Sequence, residues 1–376
     1  MKKVSILSYT KTSNYGGLLQ VYALSKILSD KNDVSVIVYN NSSSVQRSKL
    51  RNFLAFLYNR VFRFLSTDKK RKQNEQHFRE LIPFTQEEFN NAQQLSEIHS
   101  DYFVVGSDQV WNPYLNGFDK AYLLDFKTSG KKLSYAASFG IEDIPQRWLV
   151  EIKKSLMCFE HISLREQTGL NIVDNVSALE PISKTVDLDP TLLISKDNWV
   201  ESFCKTQLTK NKYALVYLMP GDKAIEKKMI SFAKKVAKKE KLKLMIVGRK
   251  NISKINIFKK GYYHAGPSEF VNLLYHSEFV ITNSFHGTAF SVNLNKPFVS
   301  FINSSQGSAN SLKSRIIDFL QKLSLESRMF DVSKTNNCSV EDYLSSEINF
   351  ASSDKKLESL RKESLKHLFE YIDDEK

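Results

Sequence analysis

Only three cysteines, Cys158, Cys204 and Cys338, occur in 376 residues, widely separated and without a CxxC pairing or a nearby histidine cluster. That excludes a disulfide framework and a zinc site, and makes a reducing cytoplasm the expected compartment. No run of 18 apolar residues is present, so no spanning helix is expected. The apolar run VSIL near the N-terminus is too short for a signal-peptide core, which argues against secretion. No pair of histidines has metal-ligand spacing, so no catalytic metal is expected. Asp187-Leu188-Asp189 runs straight into Pro190, where a linker is expected, and is not read as an Asp-x-Asp metal site. The glycine pair at 16 and 17 lacks the spacing of a dinucleotide fingerprint or a Walker loop.

What is there suits folded, anion-handling domains. Apolar residues make up 41% and aromatics 12%, enough for two cores in a chain of this length. The net charge of +13 points to acidic partners, and it is concentrated. Between Arg47 and Arg79 stand ten Lys/Arg against Asp68 and Glu75. Within this basic segment 47–79, Leu50, Phe53, Leu54, Leu57, Val61, Phe64 and Leu65 fall at helical spacing. Two readings stand open: an interfacial helix against anionic lipid, or a domain helix with a charged outer face. No nucleic-acid motif accompanies the charge, so nucleic acid is not an expected partner.

Short apolar runs alternate with helical patterns along the whole chain. VSILSY, a glycine-bearing turn, LLQVYALSKIL and VSVIVYN give strand, helix, strand, and thus an α/β fold with parallel sheets. DYFVVGSDQVWN, KLSYAASFG and HISLREQTG are further strands ending in polar clusters. Pro190 after Asp189 disfavours helix and begins a crossing between domains. The scheme then repeats through KYALVYLMP, a Lys-rich helix, LKLMIVG, EFVITNSFHGTAFSVNL and KPFVSF. The expected domains are 1–188 and 189–345, followed by a terminal helix over 346–376 whose leucine face packs back on a domain.

Sites of open α/β sheets lie where strands end. His286, in FVITNSFHGTAF, sits between the strand FVIT and a helix start, with Ser284, Gly287 and Thr288 beside it. A crevice histidine there can serve as general acid or base. His77, His99 and His276 read as solvated residues, and His161 and His264 as intermediate. Gly106, Ser107, Asp108, Gln109, Trp111 and Asn112 form a polar set with an aromatic at another strand end. That set suits a sugar, and equally suits a structural turn over a buried tryptophan. Asn14, Gly16, Gly17 and Gln20 open a helix where backbone can approach a phosphate. Arg165 and Arg315 follow a strand and a polar loop, as carboxylate or phosphate ligands or as surface ion pairs.

Taken in order, SNYGGLLQ, FVVGSDQVWNP, SLRE, DPTLL and ITNSFHGTAFSVNLNKPF resemble the polysaccharide pyruvyl transferase family over about residues 3–325. The resemblance implies a GT-B-like fold, with two Rossmann-type domains facing a central cleft. It implies transfer of pyruvate from phosphoenolpyruvate, as co-substrate and without a further cofactor, to two hydroxyls of a sugar, giving a cyclic ketal. Acceptors would be capsule, exopolysaccharide or cell-wall precursors, often lipid-linked, met in the cytoplasm or on the inner face of the membrane. His286 matches the family's C-terminal histidine and Arg165 its phosphoenolpyruvate-binding arginine. The donor set would be Arg165, Ser284, His286, Gly287, Thr288 and Arg315. The acceptor set would be Asn14, Gly16, Gly17, Gln20, Ser107, Asp108, Gln109, Trp111 and Asn112. Many relatives carry arginine two residues before the histidine, where this chain has Ser284, and Arg315 is the expected substitute. The competing readings are a nucleotide-sugar glycosyltransferase on the same scaffold and a non-catalytic carbohydrate-binding protein.

Overall fold

The computed structural model describes residues 1–11, 14–40, 66–176, 179, 181–219, 221–248, 264–305, 312–334 and 339–372. Among the described residues, two sheets contain all the strands, and every pairing in both is parallel. The first holds β1 (Lys3–Leu7), β2 (Asp33–Tyr39), β3 (Phe84–Phe89), β4 (Tyr102–Asp108), β5 (Lys131–Ala137), β6 (His161–Leu164) and β7 (Ser183–Val186), in the order 3-2-1-4-5-6-7. The second holds β8 (Tyr213–Leu218), β9 (Lys243–Gly248), β10 (Phe279–Thr282), β11 (Phe298–Ile302) and β12 (Met329–Asp331), in the order 12-11-10-8-9. YALVYL, FVIT and FVSFI are buried at every position, as strands covered on both faces by helices must be.

The crossovers of the first half are α1 (Tyr15–Ser29), α2 (Ser66–Arg79), α3 (Pro113–Asn116), α4 (Gln146–Leu156) and α5 (Gln167–Asp174). Between the sheets run α6 (Pro190–Leu193) and α7 (Lys196–Phe203). The second half adds α8 (Lys223–Lys239), α9 (Pro267–Tyr275), α10 (Phe285–Asn293), α11 (Leu312–Lys322), α12 (Val340–Ser345) and α13 (Phe350–Ile372). Pro190, expected to break the chain, instead starts a helical turn. It occupies the first helical position, where its missing N–H costs nothing, and Asp189 caps the turn by accepting from Thr191 N at 3.0 Å.

One apolar cluster joins residues of both sheets. Trp199 of α7 is fully buried among Tyr22, Phe203 and Phe290, and donates its indole N–H to Thr191 O at 2.9 Å. Truncating such a side chain costs about 3–5 kcal/mol, so the junction is a core in its own right. The C-terminal helix also spans it: Ser364 accepts from Leu188 N at 3.0 Å, and Arg361 donates to Leu192 O at 2.7 Å and Asn293 Oδ1 at 3.1 Å.

The apolar part of the basic segment, residues 50–65, lies outside the described residues. Its end is α2, an ordinary packed helix: Phe78 is buried against Tyr22 and Phe203, and Asn74 donates to His264 O at 2.9 Å.

Candidate active site

The strand order reverses between β1 and β4 in the first sheet and between β8 and β10 in the second. Such reversals splay the following loops apart and leave a crevice at the strands' carboxyl ends. Ser8, just beyond β1, donates to Ser107 O at 3.2 Å, and buried Gln20 donates to Ser8 Oγ at 2.9 Å and Gly17 O at 3.0 Å. Opposite them, the Asn283 amide accepts from Met219 N at 2.7 Å and donates to Met219 O at 2.8 Å, tying together the loops after β8 and β10. Tyr217 of β8 donates to Asn14 Oδ1 at 3.0 Å, and the same oxygen caps α1 by accepting from Gly16 N at 3.3 Å. The two crevices therefore face one another.

His286 lies in the first turn of α10, buried between them. Ser284 caps that helix, accepting from Gly287 N at 3.5 Å. Thr288 is fully buried and fixes the helix to β11, its hydroxyl 2.7 Å from Ser300 Oγ. A Cβ on Gly287 would lie 2.3 Å from Thr282 Oγ1, so only glycine lets α10 sit this close to β10. A Cβ on Gly16 would lie 2.1 Å from His286 Nδ1, so the imidazole rests directly against the backbone that starts α1. The other ring nitrogen, Nε2, faces Asp189 Oδ2 at 3.5 Å, an ion-pair separation longer than an ordinary hydrogen bond, and has no hydrogen-bond partner.

Asp189 organises the cluster. Its Oδ1 accepts from Thr191 N and from Thr191 Oγ1, the latter at 2.7 Å; its Oδ2 accepts from Arg165 Nη1 at 2.9 Å and Ser107 Oγ at 3.3 Å. Burial opposes its ionisation, but His286, Arg165 and Thr191 outweigh that and hold its pKa well below the usual carboxylate range. Arg165 is buried with its guanidinium 4.8 Å above the Phe285 ring, and reaches Asp108 at 3.6 Å and Glu166 at 3.8 Å. Burial lowers its pKa, yet Asp189, Asp108 and Glu166 together raise it above the ordinary arginine value. Arg315 of α11 is also buried; burial, then the neighbouring Arg165, brings its pKa down to about 10. With its amide oxygen turned toward Arg315, as the hydrogen-bond pattern requires, Gln109 accepts from Nη2 at 2.6 Å and Nη1 at 3.2 Å.

Four buried nitrogens here lack a hydrogen-bond partner: Arg165 Nε and Nη2, Arg315 Nε and His286 Nε2. Arg165 Nη2, Arg165 Nε and His286 Nε2 keep only the longer ion-pair contacts to Asp108, Glu166 and Asp189, and Glu166 Oε2 is likewise unbonded; unsatisfied buried donors are costly, and an acceptor-rich anion would supply the hydrogen bonds these nitrogens lack. Asp108 adds backbone strain, with φ of 70° at a non-glycine strand end.

The structure thus brings His286, Arg165, Arg315, Asp108, Gln109, Ser107 and Gly16 into one site. Gly17 and Gln20 brace its wall, and Ser284, Gly287 and Thr288 build the helix under His286. Trp111 departs from the sugar-stacking expectation: it is buried against Phe139 and Phe159 and donates to Tyr122 O at 2.8 Å, so no ring face is open to a sugar. Asn112 is likewise turned inward, capping α3 by accepting from Tyr114 N at 3.0 Å. His276, expected to be solvated, is half-buried, its Nε2 3.0 Å from Cys204 O. Sequence reasoning missed Asp189 and Glu166. An Asp directly before Pro at a strand end is an N-cap signature that could have flagged the first.

A family profile described as Polysaccharide pyruvyl transferase matches residues 14–305. No curated protein matches the sequence. Among solved structures, a putative UDP-N-acetylglucosamine 2-epimerase from Listeria monocytogenes superposes with a TM-score of 0.54 at 10% identity, covering 100% of this chain and 97% of the other. The S. aureus MnaA–UDP co-structure superposes with a TM-score of 0.52 at 12% identity, covering 99% and 97%. At such identities the likeness establishes the fold alone, which is GT-B-like with Rossmann-type halves.

Proposed function

The chain belongs to the polysaccharide pyruvyl transferase family, which makes it a transferase acting on polysaccharide, and from that premise we propose that it moves pyruvate from phosphoenolpyruvate onto two hydroxyls of a sugar. The observation that carries the donor assignment is the set of buried, unsatisfied nitrogens on Arg165, Arg315 and His286. Phosphoenolpyruvate offers a carboxylate and a phosphate, and arginine matches both in planar, bidentate fashion. In this reading Arg165 and Arg315 hold the two anionic groups, with Arg315 supplying from α11 the charge that Ser284 does not. His286 delivers a proton to C3 while an acceptor hydroxyl adds to C2 and loses its proton to Asp108, the partly open carboxylate at the rim. Phosphate then leaves C2 with the C–O electron pair, and the second hydroxyl closes the ketal as it gives its proton to the now neutral His286. Asp189 touches no substrate; it positions His286 and Arg165 together. The acceptor is a polysaccharide precursor, lipid-linked and met at the cytoplasmic face of a membrane.

A ligand that binds only the folded state raises its apparent stability, so thermal-shift titration tests the donor. Phosphoenolpyruvate is expected to stabilise the protein, and Arg165→Gln and Arg315→Gln to abolish the shift. His286→Ala is expected to keep most of the shift while lowering phosphate release by about 10²–10⁴-fold, the usual span for a general acid. Stabilisation by UDP-N-acetylglucosamine but not by phosphoenolpyruvate would overturn the reading in favour of a glycosyltransferase.

A further inference from the structure

Phe285 takes the first helical position of α10, is buried, and carries its ring from the second half onto the first, where the Arg165 guanidinium lies over it at 4.8 Å. Two further contacts hold the ring in place: the His286 imidazole meets it at 82° and 5.5 Å, and Phe319 meets it at 63° and 5.8 Å. Phe319 stands one turn beyond Arg315 on α11. One phenylalanine therefore lies against His286, under one arginine, and on the helix that carries the other. It has neither charge nor polar side-chain atom, and no step of the transfer described above uses it.

What the ring does is visible in the arginine's remaining contacts. A guanidinium carries its N–H groups in its own plane and none above or below it. Nη1 is taken by Asp189 at 2.9 Å, while Nε and Nη2, which share one edge, reach Glu166 only at 3.8 Å and Asp108 only at 3.6 Å. Both contacts are beyond hydrogen-bond length, and neither nitrogen has a hydrogen-bond partner. A small slide of the guanidinium would close either ion pair and fill the edge. The negative face of an aromatic ring attracts a cation without accepting any in-plane hydrogen bond, so it opposes that slide and leaves the edge open. A carboxylate in the same place would hold the charge and occupy the edge. We propose that Phe285 is a positioning residue for donor binding: it keeps the Nε–Nη2 edge of Arg165 free to meet the planar carboxylate of the donor in two parallel hydrogen bonds, and the phosphate falls to Arg315. The inference deepens the phosphoenolpyruvate reading and rests on it.

The test replaces Phe285 in the full chain by phenylalanines carrying one, two and three ring fluorines, which weaken the negative face while nearly keeping the shape. Affinity for phosphoenolpyruvate, read by titration calorimetry, is expected to fall with each fluorine and by about tenfold at three, within the span of a desolvated cation–π contact. KM for phosphoenolpyruvate should rise more than kcat falls, because the orientation lost serves the ground state and the transition state alike. Phe285→Leu, apolar but without a π face, is expected to bind phosphoenolpyruvate at least as weakly as the trifluorinated protein, with urea unfolding confirming that each variant remains folded. Inorganic phosphate, which lacks the carboxylate, should bind parent and variants equally. Phosphoenolpyruvate affinity that ignores the fluorine count and survives in Phe285→Leu would make the ring core packing alone and overturn the proposal, while binding by the parent would leave the transferase reading intact. Phosphate affinity that fell in step with that for phosphoenolpyruvate would move the Arg165 edge to the phosphate and overturn the carboxylate assignment. A parent that bound no phosphoenolpyruvate would overturn the transferase reading and this proposal with it.

Discussion

At the crevice, the first sheet presents charge: Asp108 as the last residue of β4, Arg165 and Glu166 after β6, and Asp189 beyond β7. The second presents neutral groups, Asn283, Ser284 and Thr288, with the imidazole of His286 among them and Arg315 entering from α11. A parallel-strand end with its helix start is the same scaffold in both halves, so the difference lies in what each sequence hangs there. The first half supplies an electrostatic frame that must be neutralised internally before a substrate arrives. The second supplies a proton donor on a rigid, well-capped helix. Variants should therefore divide: those of the first half disturb stability and donor binding together, while those around His286 on α10 disturb turnover with little change in stability, Arg315 being the one residue of the second half that joins the donor-binding set and Phe285 acting on that set through Arg165.

The largest expected effect tests the first side of that division. Asp189→Ala removes the 2.9 Å partner of a fully buried guanidinium. Removing one partner of a buried charge costs up to about 3–5 kcal/mol, and Asp108 and Glu166, still near the Arg165 guanidinium, hold the loss toward the lower end, read as a lower midpoint in urea unfolding. Because the Asp189 pKa is depressed, its contribution is complete above the ordinary aspartate value of about 4 and is lost as pH falls below it. The gap between parent and variant should therefore close in acid. A gap that stayed constant to low pH would mean that the carboxylate's charge is not what stabilises this half.

Gly16→Ala probes the contact between the halves with a smaller effect. Alanine in a helix gains up to about 1 kcal/mol over glycine, against about 1–3 kcal/mol for overpacking a filled site. The new methyl would lie 2.1 Å from His286 Nδ1, so the ring must move. Stability should change by no more than about 2 kcal/mol, while turnover falls about 10²-fold, the scale of an ångström-sized misplacement of a reacting group. Unchanged turnover would show that the ring position at Gly16 is not the working one.

The apolar runs stopping at polar clusters made the alternating architecture and most strands legible, because a covered parallel strand must be apolar throughout. His286 was legible for the converse reason, a polar ring where an apolar run ends. Trp111 was not, because strand-end position does not tell which way the chain turns. Asp108 takes a left-handed conformation, and Trp111 three residues on is buried with its backbone N–H donating to Ser138 O at 3.2 Å. Asp189 was hidden by the proline after it, read as a break when it is the first residue of a capped turn. The pairing of Arg315 with Gln109 joins residues 206 positions apart in sequence and exists only once both sheets are assembled.

The smallest effect concerns what couples the halves. His367 of α13 bonds Asp187 Oδ1 at 2.8 Å, two residues before Asp189, while Arg361 of the same helix holds α10 through Asn293. The bond to Asp187 is the main cause that raises the His367 pKa above its ordinary value; burial opposes it, and Glu363 and Glu370 add to it. Neighbouring His161, pushed down to about 4 chiefly by burial, stays neutral through the same range. A raised histidine stabilises fully below its unfolded pKa of about 6.5, and that contribution fades as pH rises through the folded value. His367→Gln should cost no more than about 1 kcal/mol near pH 6, since the pair is partly open to water, and almost nothing near pH 9. Measured as the difference in melting temperature between parent and variant across that range, a loss that grew with pH would reverse the sign and remove His367 as the clasp between α13 and the charged half.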